Sequence, residues 1–192
     1  MLRLSGQLLY ALPMSAPRFT LRFPVEQIEE WAGRYDYKSD AALENEVGPF
    51  MQREGYLTKP HFLTLAHWKS PRTQPRCARN PESFVEAVTR TAASSSEEQL
   101  RIEVLLLLKG VSWPTASVVL HFGTQKPYPI LDFRALWSLG YDEPPDYDFD
   151  FWWSYVEFTR SLAAERGVSM RMLDRALWQF SKEHQGRVEP GV

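Results

Sequence analysis

The stretch LLLLKGVSWPTASVVLHFGTQKPYPILDFRALWSLG, residues 105 to 140, admits few folds. Leu105 to Lys109 close an apolar helical run, Gly110 can take the positive φ of a helix C-terminus, and Pro114 suits the first turn of a new helix. Two helices therefore meet across a tight turn. The second, Thr115 to Phe122, stops at Gly123, and the polar connector Thr124 to Pro129 leads to Asp132, a residue suited to cap a helix over Phe133 to Leu139. Gly140 ends that third helix.

Helical periodicity extends on both sides. Val25, Ile28, Trp31 and Ala32 share one face, with Glu26, Glu29 and Glu30 near the helix start. A helix is expected from Ser39, kinked near Gly48-Pro49, and another from Thr58 and Pro60 onward. Phe84, Val85, Val88 and Ala92 form a buried stripe after Asn80-Pro81, and Ile102, Leu105, Leu106 and Leu108 predict the most apolar helix, at the centre of the core. Trp152 to Ala163 and Met170 to Phe180 give two long C-terminal helices, with Arg171, Asp174 and Arg175 read as surface pairing. Phe19 to Phe23 alternates like a short strand but has no convincing partner. The fold class is therefore all-α: a compact fold of about eight helices in two packed subdomains. Residues 1–23 are expected to form an N-terminal arm, 24–185 the helical domain and 186–192 a flexible tail.

The chain of 192 residues can bury one substantial core. Its single cysteine, Cys77, excludes an internal disulfide framework or a cysteine-ligated cluster and points to a reducing, cytoplasmic compartment. No segment approaches the ~20 apolar residues that span a bilayer, so no membrane association is expected. A net charge of −2 hides polarity along the chain. Lys59, Lys69, Arg72, Arg76 and Arg79 fall in a run without an acid, whereas Tyr141 to Phe151 holds acids and no base. A basic face for a polyanion is compatible with that pattern, and so is a pair of solvated loops. His61 and His67 are poorly spaced for one helix face and have no third ligand nearby, so neither a metal nor another cofactor is expected.

A glycine turn between helices exposes backbone N–H groups that hold a phosphate without any side chain, although such hairpins also occur without function. Here it is followed by Tyr128-Pro-Ile-Leu-Asp132. With Leu108-Lys-Gly110-Val111-Ser112-Trp-Pro114-Thr115-Ala116, the stretch resembles the helix-hairpin-helix (HhH-GPD) superfamily of base-excision DNA glycosylases. The Pro-Ile-Leu-Asp run is most like the adenine-removing branch. The resemblance is specific over residues 105–140 and general elsewhere.

That resemblance implies Asp132 as catalytic carboxylate and a hairpin of Lys109, Gly110, Val111, Ser112 and Thr115 that grips a phosphate of double-stranded DNA. Ser112 departs from the family's second glycine and Lys109 from its usual proline. Pro114 stands where lyase-competent members carry a lysine, which implies a monofunctional glycosylase. Lys69, Arg72 and Arg76 are candidates for further backbone contacts, and Trp68, Tyr128, Phe133 and Trp137 for the walls of a base pocket. A monomer is expected, at the nucleoid if DNA is bound. The alternatives are a non-catalytic DNA-binding module, with Asp132 as a helix cap alone, and a helical interaction scaffold.

Overall fold

The computed structural model describes residues 19–186. The expected arm and tail lie outside these residues, apart from 19–23 and 186. Ten α-helical segments and no strand are found among them. In order they are α1 (Ile28–Gly33), α2 (Gly48–Glu54), α3 (Lys59–Lys69), α4 (Gln74–Cys77), α5 (Glu82–Ser94), α6 (Glu98–Glu103), α7 (Trp113–Gly123), α8 (Phe133–Ser138), α9 (Phe149–Arg166) and α10 (Met170–His184). The fold is all-α, as the helical periodicity predicts.

Two expected helices are broken for local reasons. After α6 the chain tightens into a 3-10 turn over Val104–Leu107. At three residues per turn, Leu105 and Leu108 both point inward while Leu107 is left 62% exposed. The centre of the core is consequently α7, in which every residue from Thr115 to Leu120 is buried. The helix expected from Ser39 is instead a 3-10 turn, Tyr37–Asp40, capped by Asp36, then a π turn at Leu43–Val47, then α2 with Pro49 in its first turn. Proline is tolerated there because first-turn N–H groups have no intrahelical partner.

α10 is the second organising element. Leu173, Leu177 and Phe180 are buried on one side of it, against which α1 and α8 pack. Residues 19–23 form no strand: the Thr20 and Arg22 N–H groups donate to the Leu139 and Ser138 carbonyls at 2.9 Å each, satisfying the open end of α8. At the other side of the core, Gly48 of α2 approaches α7 so closely that a Cβ there would stand 2.8 Å from the Phe122 carbonyl oxygen. No helix among the described residues is long and apolar enough to cross a membrane.

Candidate active-site cleft at the start of helix α8

Helix α8 begins at Asp132, α3 ends at Lys69, and α10 passes beside both. Between them lies a cleft of about 590 Å³. Its position depends on the connector before Asp132, whose backbone groups are held from three helices. The Leu131 N–H donates to Ser117 Oγ of α7 at 2.8 Å, and the Ile130 carbonyl accepts the Tyr155 hydroxyl of α9 at 3.0 Å. Asp174 of α10 accepts the Ile130 N–H. His121 Nδ1 meets the Tyr128 carbonyl at 2.7 Å. Burial, with Arg171 nearby, pushes the His121 pKa down to about 3, so the ring is neutral and donates that proton.

Asp132 uses both carboxylate oxygens. One caps α8 by accepting the Arg134 N–H at 2.9 Å, and the other receives Lys69 Nζ at 2.5 Å. Only 16% of the Asp132 side chain and 11% of the Lys69 side chain are exposed. Burial alone would raise the Asp132 pKa. The Lys69 ammonium, its hydrogen bond and the Arg134 N–H outweigh it and hold the carboxyl below its ordinary 3.8. Asp174, also lining the cleft, goes the other way. Burial and the charge on Asp132 raise it to about 6 against the pull of Arg171 and Lys69. Two carboxyl groups in one cleft are thus driven apart in acidity.

The walls are aromatic. Trp68, Phe133, Tyr35 and Trp178 line the cleft. Tyr35 packs edge-on to Trp178 at 5.3 Å between centroids, and the Lys182 ammonium lies 5.1 Å from the Trp178 ring centre at the cleft edge. Behind this wall sits Asp40, fully buried, which accepts the Trp68 indole N–H at 3.1 Å and the Tyr35 hydroxyl at 3.2 Å. Arg171 pairs with it directly, with Glu44 at 3.0 Å and with Asp174 at 2.7 Å. Arg171 and Asp174 are therefore not a surface pair: they lock α10 to residues 37–44 and shape the cleft, because the polar face of α10 is turned inward here.

The hairpin has its own anchor. Gly110 takes φ 84°, and a Cβ on it would meet Cys77 Sγ at 2.7 Å and the Cys77 nitrogen at 2.9 Å. Buried Asn80 reads the backbone of Lys109 in both directions: its amide donates to the Lys109 carbonyl at 3.0 Å and accepts the Lys109 N–H at 2.9 Å. The Lys109 N–H therefore faces inward, and Val111 N–H returns to the Leu108 carbonyl at 3.1 Å. Ser112 stands at the N-terminus of α7 with its side chain capping nothing. The contact through Gly110 brings the exposed Arg76 beside the hairpin, with Arg72 on the adjoining turn at Pro71–Thr73.

Of the residues singled out in the sequence, Asp132, Lys69, Trp68 and Phe133 come together in the cleft. Tyr128 lies apart, stacked on Trp152 with its hydroxyl on Glu98, and Trp137 packs on Phe180 under the Arg22 guanidinium. Lys69 is held inside the cleft against Asp132 rather than displayed with Arg72 and Arg76. Tyr35, Asp174, Trp178 and Lys182 were not anticipated. A signal for most of them exists: Arg171, Asp174, Arg175, Trp178 and Lys182 recur at helical spacing and define a second face of α10. Among the described residues no three histidine, cysteine, aspartate or glutamate side chains group as a metal site.

No family model matches the sequence, and no curated protein does. Among solved structures, the chain is similar to the 8-oxoguanine glycosylase/lyase of Methanocaldococcus jannaschii, crystallised with a 15mer DNA containing 8-oxoguanine. The two are 16% identical, the match covers 85% of this chain and 84% of that one, and the TM-score is 0.48.

Proposed function

We propose that the chain is a DNA N-glycosylase that hydrolyses the bond between a damaged or mispaired base and its deoxyribose in a DNA duplex. The observation that carries this reading is the setting of Asp132: an ionised carboxylate at the start of α8, in an aromatic-walled cleft, on the residues whose pattern resembles the helix-hairpin-helix glycosylases. As the N-glycosidic bond stretches, positive charge develops on the sugar at C1′ and its ring oxygen. A fixed carboxylate stabilises that charge and orients or deprotonates the attacking water. The Lys69 ammonium favours the charged form of Asp132 in a site where burial alone would neutralise it. Base removal by water needs no amine at Pro114.

The remaining parts suit an extruded base. Trp68, Phe133, Tyr35 and Trp178 offer flat faces for stacking, and the cleft volume is in the range of small-molecule sites, ~300–1,000 Å³. The start of α7 at Ser112 presents N–H groups to a phosphate, with Arg76 beside the hairpin and Arg72 nearby to add charge. One protein copy suffices for this arrangement.

Purified protein is incubated with duplexes carrying uracil, hypoxanthine, alkylated or oxidised bases, and abasic sites are revealed by alkali. Release from at least one duplex, reduced ~100- to 10,000-fold in Asp132→Asn, is expected. Release from none by the wild type would overturn the enzymatic reading. Duplex binding that survives Asp132→Asn in that case would favour a non-catalytic DNA-binding module.

A further inference from the structure

The sequence pattern argues against covalent chemistry because Pro114 has no amine, yet the fold delivers an amine to Asp132 from another element. We propose that Lys69 is a nucleophile that attacks C1′ of the abasic sugar and cleaves the DNA strand, giving the chain a lyase activity. The inference rests on the reading of the cleft as the seat of a deoxyribose. Lys69 is the last residue of α3, a place where lysine ordinarily lies in solvent and balances the helix dipole. Here it turns inward, its Nζ lies 2.5 Å from the Asp132 carboxylate, and only 11% of the side chain is exposed. The other lysine lining the cleft, Lys182, is exposed at the edge over Trp178. A group poised to act on C1′ beside Asp132 is therefore Lys69.

Each step balances without an added oxidant or reductant. The Lys69 ammonium passes a proton to Asp132, and the freed amine adds to the C1′ aldehyde of the abasic sugar. The N–C1′ bond forms and the carbonyl oxygen departs as water, taking that proton and a second one from nitrogen, which leaves a protonated Schiff base. Asp132 then removes a proton from C2′, the electron pair moves towards the iminium, and the C3′–O bond breaks with the phosphate as leaving group. Water hydrolyses the conjugated Schiff base and returns the Lys69 ammonium and an unsaturated aldehyde.

The test uses full-length protein and a duplex carrying a preformed abasic site, so that it does not depend on which base is recognised. Borohydride reduces a Schiff base to a stable amine. The wild type and Lys182→Gln are expected to form a covalent protein–DNA adduct, with mass mapping of the wild-type adduct placing the modification on Lys69. Lys69→Arg keeps a cation opposite Asp132 but offers no comparable amine, and is expected to lower the adduct yield at least ~100-fold. No adduct in the wild type, an adduct on another residue, or an undiminished yield in Lys69→Arg would overturn the proposal. The mapping on wild-type protein keeps the test decisive even if Lys69→Arg folds poorly. Base release without adduct would defeat the lyase step alone; adduct without base release would defeat the proposed glycosylase while leaving Lys69 as the nucleophile.

Discussion

At the scale of single residues, Asp132 and Asp174 are two carboxyl groups in one cleft with opposite acid–base behaviour. Asp132 is held below its ordinary 3.8, so the stability it contributes is present above that value and is lost as pH falls through its folded pKa. Asp174 is raised from 3.8 to about 6, so its contribution is complete below 3.8 and is lost as pH rises through about 6. NMR titration of the aspartate carboxyl carbons should show one group changing charge near pH 6 and disappearing in Asp174→Asn, with Asp132 still ionised there. Deeper in the wall, Asp40 is fully buried against Arg171, the Trp68 indole and the Tyr35 hydroxyl. Asp40→Ala strips these groups of an acceptor and should destabilise the fold by about 3–5 kcal/mol, measured by chemical denaturation.

Among the elements, the connector before Asp132 and the hairpin before α7 were unequally legible in the sequence. Gly110, Pro114, Gly123 and the Asp132 cap are local signals, and the helices they bound stand close to where those signals put them. The 3-10 turn at Val104–Leu107 was not visible, because four consecutive leucines satisfy a 3.6-residue and a 3.0-residue period alike. Nor was the supply of Lys69, Tyr35, Asp174 and Trp178 to one cleft, since that depends on how α3, α8 and α10 cross. Tyr128 and Trp137 failed as pocket candidates for the same reason: nearness to Asp132 in the chain does not fix the side on which a ring packs. The connector also yields a sharp expectation. Ser117→Ala leaves the buried Leu131 N–H without its acceptor and should cost ~1–3 kcal/mol of stability while slowing base release through looser placement of Asp132. Thermal denaturation and single-turnover rates on one duplex read the two effects separately.

For the whole molecule, an acidic net charge of −2 coexists with a basic, exposed turn at Arg72 and Arg76 beside the hairpin. If that face meets the DNA backbone, Arg76→Ala should weaken binding about equally on every duplex and reduce the slope of log affinity against log salt by about one. It should leave the rate of base release from bound DNA nearly unchanged, which separates the backbone surface from the cleft. The central claim is that the cleft at the start of α8 removes a base through Asp132. Its most direct measurement is the single-turnover rate of alkali-labile site formation by saturating wild type and Asp132→Asn on one lesion-bearing duplex. A rate lower by ~100-fold or more in Asp132→Asn, with duplex affinity retained, is the result expected; equal rates in the two proteins would contradict it.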